Sequence, residues 1–170
     1  MAAKILKLLC VFFSVVTVLL CGCDKSARSK GKVCADFSAR FSGEYRGLAV
    51  GGEISNAHQG ACTMRFDSPE TLSGLCVRYR GGEITLKRGE VAVSADKNLL
   101  PARGFPELIR ESLEKAAGSD LEPKGDSAYS LTVNGEECEL KTDADGLPKS
   151  ISSPAQKLYI EFTEQSKLDG

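Results

Sequence analysis

From residue 35 to residue 46 the chain changes character at every step. Ala35, Phe37, Ala39, Phe41, Gly43 and Tyr45 alternate with Asp36, Ser38, Arg40, Ser42, Glu44 and Arg46. Successive side chains of an extended strand point to opposite faces, so a period of two describes one dry face and one wet face. A helix would scatter the same residues around its whole circumference. The alternation recurs along most of the chain, and short turn signals separate its segments. The pattern predicts consecutive antiparallel hairpins, a meander, rather than a helical bundle or a parallel sheet.

Turn position and apolar parity test one another, because a one-residue slip would carry a strand's whole apolar set to the opposite face. A turn at Gly47-Leu48 pairs Tyr45 with Val50 and Phe41 with Ile54. A three-residue loop at Ala57–Gln59 pairs Ile54 with Cys62 and Val50 with Phe66. Gly81-Gly82 pairs Tyr79 with Ile84 and Val77 with Leu86, and Arg88-Gly89 pairs Leu86 with Val91 and Ile84 with Val93. Asn134-Gly135 is a strong type I′ signal. It pairs Leu131 with Cys138 and Tyr129 with Leu140, and Asp145-Gly146 pairs Leu140 with Ile151. A last strand near residues 157–163 carries Leu158, Ile160 and Phe162. These segments make about ten strands, each apolar on one face.

Residues 106–117 follow a different period. Leu108, Ile109, Leu113, Ala116 and Ala117 fall on one helical stripe, with Phe105 just before it. Pro106 suits the first helical position, Glu107 suits the positive end of the dipole, and Gly118 ends the helix. Arg110–Glu114 and Glu111–Lys115 are i,i+4 pairs expected on the wet side. Ten strands spaced ~4.8 Å apart span about 48 Å. The helix is only ~18 Å long and ~11 Å thick. A flat sheet would leave most of its apolar face in water, so the sheet must curl around the helix or be covered by something else. The expected fold is mostly β (α+β): an antiparallel curled sheet of about ten strands, a half-barrel, around one helix. Phe41, Val77 and Leu86 of the sheet and Leu108, Ile109 and Leu113 of the helix are expected to line its apolar hollow.

Three stretches carry a family likeness. M-R-F-D-S-P-E-T-L-S-G-L places Phe66, Pro69, Leu72 and Gly74 between two strands; Y-R-G-G-E-I follows, and T-D-A-D-G-L-P-K-S-I holds a late hairpin. With the curled sheet, they resemble the LolA/LolB-like half-barrel superfamily of lipoprotein carriers, lipid-binding lipoproteins and envelope-stress sensors. This chain has Arg-Gly-Gly where the carriers show Asp-Gly, and one helix where they have a fuller lid. The resemblance implies a hydrophobic cavity for a lipid, an acyl chain or an apolar peptide. It also implies an alternative, since one lipoprotein of this shape acts as partner to a wall amidase.

The beginning of the chain reads as a targeting segment. Lys4 and Lys7 precede 13 uncharged residues, Leu8 to Leu20. As a helix these reach about 20 Å, short of a ~30 Å hydrocarbon core, and the pattern is that of a signal peptide. Leu20, Cys21, Gly22 and Cys23 resemble the bacterial lipobox, which implies that Cys23 is acylated, palmitate included, and becomes the mature N-terminus. The expected organisation is a lipoprotein signal peptide over 1–22, the lipidated Cys and a basic tether over 23–33, and a LolA-like domain over 34–170. The expected place is the extracytoplasmic side of the cell membrane, lipid-anchored, with a lipid or lipoprotein as ligand or an envelope protein as partner.

Composition removes other classes. With 22 Lys and Arg against 23 Asp and Glu, the formal net charge is −1, so nucleic acid is not an expected partner. The single histidine, His58, sits in the turn-like run N-A-H-Q-G. No G-x-S-x-G and no C-x-x-C occurs outside the leader region, and Asp143 and Asp145 suit a hairpin better than a calcium loop. No catalytic residue, cofactor or metal is expected. Parity places Cys62 and Cys138 on the apolar face and Cys76, with Arg78 and Arg80, on the wet one; Cys34 precedes the first strand. Two readings stay open: a membrane-anchored protein binding an apolar ligand in its hollow, and a non-enzymatic envelope interaction module whose hollow is plugged by its own helix.

Overall fold

The turns lay the strands down in order, and the order fixes the sheet. The computed structural model describes residues 33–57, 60–99, 104–118, 121–125 and 127–168, all within a unit running from Lys32 to Gly170. Six strands come first: β1 (Phe37–Tyr45), β2 (Leu48–Ala57), β3 (Ala61–Ser68), β4 (Leu75–Arg80), β5 (Glu83–Arg88) and β6 (Val91–Asp96). The helix α1 (Phe105–Gly118) follows. Five strands complete the set: β7 (Glu122–Pro123), β8 (Ala128–Val133), β9 (Glu136–Thr142), β10 (Pro148–Ser153) and β11 (Leu158–Lys167). They form one 11-stranded sheet in the order β6-β5-β4-β3-β2-β1-β11-β10-β9-β8-β7. Two antiparallel meanders are thus joined along β1 and β11, where Tyr45 faces Leu158 and Phe37 faces Lys167. The sheet is curled and unclosed, as expected, and α1 links its two edge strands.

The degree of curling follows from two contacts of the helix. The Arg110 guanidinium lies 5.4 Å from the Tyr79 ring centroid on β4, and Lys115 Nζ donates to the Thr132 carbonyl on β8 at 2.7 Å. In a flat sheet those strands would be seven spacings apart, about 34 Å. On the helix the two residues are separated by a rise of only ~7.5 Å. Even long side chains cannot make up that difference, so the sheet wraps around α1. Bending requires close backbone approach. A Cβ on Gly43 would sit 2.0 Å from the Tyr159 carbonyl oxygen, and one on Gly52 would sit 2.0 Å from that of Arg65. Both glycines let neighbouring strands close up where β1 and β2 bend.

Three hairpins have the expected register: Tyr79 faces Ile84, Leu131 faces Cys138, and Leu140 faces Ile151. Three others are corrected by two residues. The first turn is Arg46-Gly47, so Tyr45 faces Leu48 and Phe41 faces Gly52. Its Arg46 N–H donates to the Lys157 carbonyl at 2.8 Å, a tie from the neighbouring hairpin that local pattern cannot show. At the second, Ile54 faces Met64 and Asn56 faces Cys62. The third is Gly89-Glu90, so Leu86 faces Val93 and Arg88 faces Val91. Gly89, at φ 58°, takes the first central position that a type II′ turn reserves for glycine. Each slip is an even number, so every face assignment survives. The eleventh strand, β7, is two residues long, too short to show a period in the sequence.

The core lies between α1 and the concave face. Phe105 packs its ring 5.8 Å from those of Phe41, Tyr45 and Phe66, anchoring the start of the helix to β1 and β3. Ile151 and Ile160 are fully buried under the same helix-bearing side.

Candidate functional site on the concave face

Residues opposite one another in adjacent strands share a face, so the concave surface can be followed in rows. One row is Ile54, Met64, Val77, Leu86 and Val93, from β2 to β6. Their exposures are 2%, 0%, 2%, 36% and 61%. The next row outward ends in Arg88 and Val91, with Val91 at 69%. The helix meets β8 and β9 on the opposite wing, and Arg110 reaches the Tyr79 ring on β4. On β5 and β6 the same face divides: Ile84 is 1% exposed and Ala95 packs against the core, whereas among the described residues Leu86, Val91 and Val93 form an exposed apolar strip at the other end of the two strands.

Of the six residues expected to line the hollow, Phe41, Val77, Leu108, Ile109 and Leu113 are buried. Leu86 is a correction. It lies on the expected face and opposite the expected Val77, but is partly exposed, whereas Ile84 on the same face of β5 is buried. Val91 and Val93 share its fate, and sequence parity carried no sign of it, because parity gives the face and not what covers it.

A second correction concerns Arg110, expected on the wet side. It is buried. Its Nε and Nη2 donate to the two oxygens of Glu107 at 3.2 and 2.6 Å, and its Nη1 donates to Glu114. Burial pulls its pKa down, but the two carboxylates outweigh that and the net shift is upward. The same corner holds Tyr79, whose buried Oη has no hydrogen-bond partner in the described structure. Burial, and then the Glu107 carboxylate, push this phenol up. Burial also raises the Cys62 thiol to about 12, with Arg110 opposing and Glu107 adding. These groups keep their protons at neutral pH. The cluster acts as a strut that ties α1 to β3 and β4. The spacing of Glu107, Arg110 and Glu114 on one helical stripe was the available signal, since i,i+3 and i,i+4 neighbours share a face.

The cysteines and the late aspartates have structural places. Cys62 and Cys138 are buried, Cys34 and Cys76 are half-buried, and all four thiols are free. Asp143 Oδ1 accepts from the Asp145 and Leu147 N–H groups at 2.9 and 2.8 Å, which makes it the organiser of the β9–β10 turn. Among the described residues no three His, Cys, Asp or Glu side chains are arranged to hold a metal ion, and no helix is long and apolar enough to cross a membrane. His58 and the lipobox set Leu20, Cys21, Gly22 and Cys23 lie outside the described residues.

No protein-family model and no curated protein matches the sequence. Solved structures do resemble the fold. An uncharacterized conserved protein from Thermus thermophilus superimposes with a TM-score of 0.53 at 14% identity, over 84% of this chain and 85% of that one. A DUF1329 family protein from Desulfovibrio piger matches with a TM-score of 0.38 at 12% identity, over 85% of this chain and 90% of that one. The first likeness is one of fold alone.

Proposed function

We propose that this chain is a non-enzymatic, extracytoplasmic lipoprotein, anchored in the cell membrane through Cys23, that binds an apolar chain along the exposed strip of Leu86, Val91 and Val93 on β5 and β6. The observation that carries the reading is the rise in exposure along one row of apolar side chains, from 2% at Val77 to 36% at Leu86 and 61% at Val93. Covering such surface yields roughly 25 cal/mol per Å² removed from water. A lipid acyl chain or an extended apolar peptide would supply that cover. The lipobox-like run at residues 20–23 supports the anchor, and the resemblance to the LolA/LolB-like half-barrels supports a lipid among these ligands.

A second reading has its own support. Leu108, Ile109 and Leu113 are each 1% exposed, so α1 is packed as a plug over most of the hollow. A protein with that packing would act through its outer surface, as an interaction module of the envelope.

Two measurements separate the readings. Membrane fractionation of the wild-type and Cys23→Ala chains tests the anchor, which requires wild-type protein in the membrane fraction and loss of it in the variant. An environment-sensitive fatty-acid probe, titrated into the Cys23→Ala chain, tests the strip. Saturable binding that Val93→Glu abolishes supports the ligand reading. No saturable binding leaves the interaction module.

A further inference from the structure

The uncovered strip ends in a cation. Arg88 lies on the same concave face, directly opposite Val91 and two residues beyond Leu86. Along the strand that places it ~7 Å from Leu86, within one side-chain length. Its side chain is exposed, and its Nη1 donates to the Thr71 carbonyl at 3.1 Å, which turns the guanidinium toward the loop between β3 and β4. Among the described residues no carboxylate pairs with it, and the edge formed by Nε and Nη2 makes no hydrogen bond. Arg110 shows what this edge does when a carboxylate is available: its own Nε and Nη2 hold both oxygens of Glu107.

We propose that the free Nε–Nη2 edge of Arg88 takes the carboxylate of a single-chain fatty acid whose alkyl chain lies along Val91, Val93 and Leu86. This rests on the ligand reading above and deepens it. The charge argument selects an anionic amphiphile, because the strip offers apolar surface along its length and one unpaired cation at one end. The planar fork of an arginine matches a carboxylate with two parallel hydrogen bonds. One guanidinium neutralises one charge, and a strip two strands wide suits one chain. Both facts favour a fatty acid over a two-chain phospholipid.

The test compares a dansyl-labelled undecanoic acid with its methyl ester on the full chain carrying Cys23→Ala, at low ionic strength. The two probes share the alkyl contact and differ in the charge. The acid is expected to bind roughly three- to fivefold more tightly than the ester, the size of a solvent-exposed ion pair. In Arg88→Gln that ratio should fall to about one, and raising the salt should shrink it in the chain that keeps Arg88. A ratio that survives Arg88→Gln, or no preference for the acid at all, overturns the role of Arg88 while ester binding still stands for the strip. If neither probe saturates, the ligand reading fails and Arg88 falls with it. A dansyl-labelled phospholipid bound more tightly than the acid would overturn the choice of carboxylate. The urea midpoint of Arg88→Gln checks that the fold is intact.

Discussion

Two leucines on opposite sides of the helix boundary test whether α1 is a packed plug. Leu113 faces inward from α1 and is 1% exposed; Leu86 faces the same concave space from β5 and is 36% exposed. Leu→Ala removes the same three carbon groups at each. At about 0.8 kcal/mol per buried group, the transfer loss at Leu113 is ~2.4 kcal/mol. A residual cavity between helix and sheet adds to it, within the range of about 2–5 kcal/mol seen for buried leucine truncations. At Leu86 the side chain is already partly in water and no cavity is sealed, so the loss should stay below about 1 kcal/mol. For a unit of this size the entropy of unfolding is roughly 0.3 kcal/mol per kelvin, so Leu113→Ala should lower Tm by about 10 °C and Leu86→Ala by about 3 °C or less. Thermal unfolding followed by far-ultraviolet circular dichroism reads both. Amide hydrogen exchange over Phe105–Gly118 adds a check, because a plug opens only with the whole fold, whereas a lid opens below it. A loss under about 1 kcal/mol at Leu113, or one at Leu86 as large, would show that the packing argument is wrong.

Other consequences concern the bend, the strut and the thiols. Gly52→Ala forces a Cβ to within 2.0 Å of the Arg65 carbonyl oxygen, so it should cost at least about 1–3 kcal/mol in urea unfolding, whereas an unchanged midpoint would mean the β2–β3 approach is not needed for the curl. Glu107→Gln leaves the buried Arg110 with Glu114 as its one carboxylate and should cost about 2–4 kcal/mol, part of which Arg110→Met in the same chain should restore; no loss would remove the strut. At pH 8 a thiol raised from 9.0 to about 12 has roughly a thousandth of the usual thiolate fraction, so Cys62 should resist a disulfide probe until pH approaches that value or the protein unfolds, while Cys34 and Cys76 react in the folded state. Rapid labelling of Cys62 near neutral pH would place its strand face wrongly.

Face assignments were legible in the sequence because they depend on a local period of two. Phe37, Phe41, Val77, Tyr79, Cys138 and Leu140 are all buried where parity put them, even though three hairpin turns sit one position away from the local expectation. A register error of two residues is invisible to parity, and which of two neighbouring turns forms depends on contacts such as Arg46 to Lys157 that join distant strands. The extent of α1 was legible too, within one residue at each end, since its stripe and its caps are local. What covers a face is a different kind of question. Leu86 and Val77 look alike in the sequence and stand opposite each other in the sheet, yet one is in water and the other is not. Arg110 looked solvated by its charge and is buried by its position on the same stripe as Leu113. Coverage is set by how far a single helix reaches across a sheet that has already curled, and the curl depends on Gly43, Gly52 and contacts between residues far apart in the chain. Local period therefore determined the strands, the helix and their dry faces; only the tertiary structure decided that Ile84 is buried in the hollow while Leu86, Val91 and Val93, on the same face of β5 and β6, are left exposed.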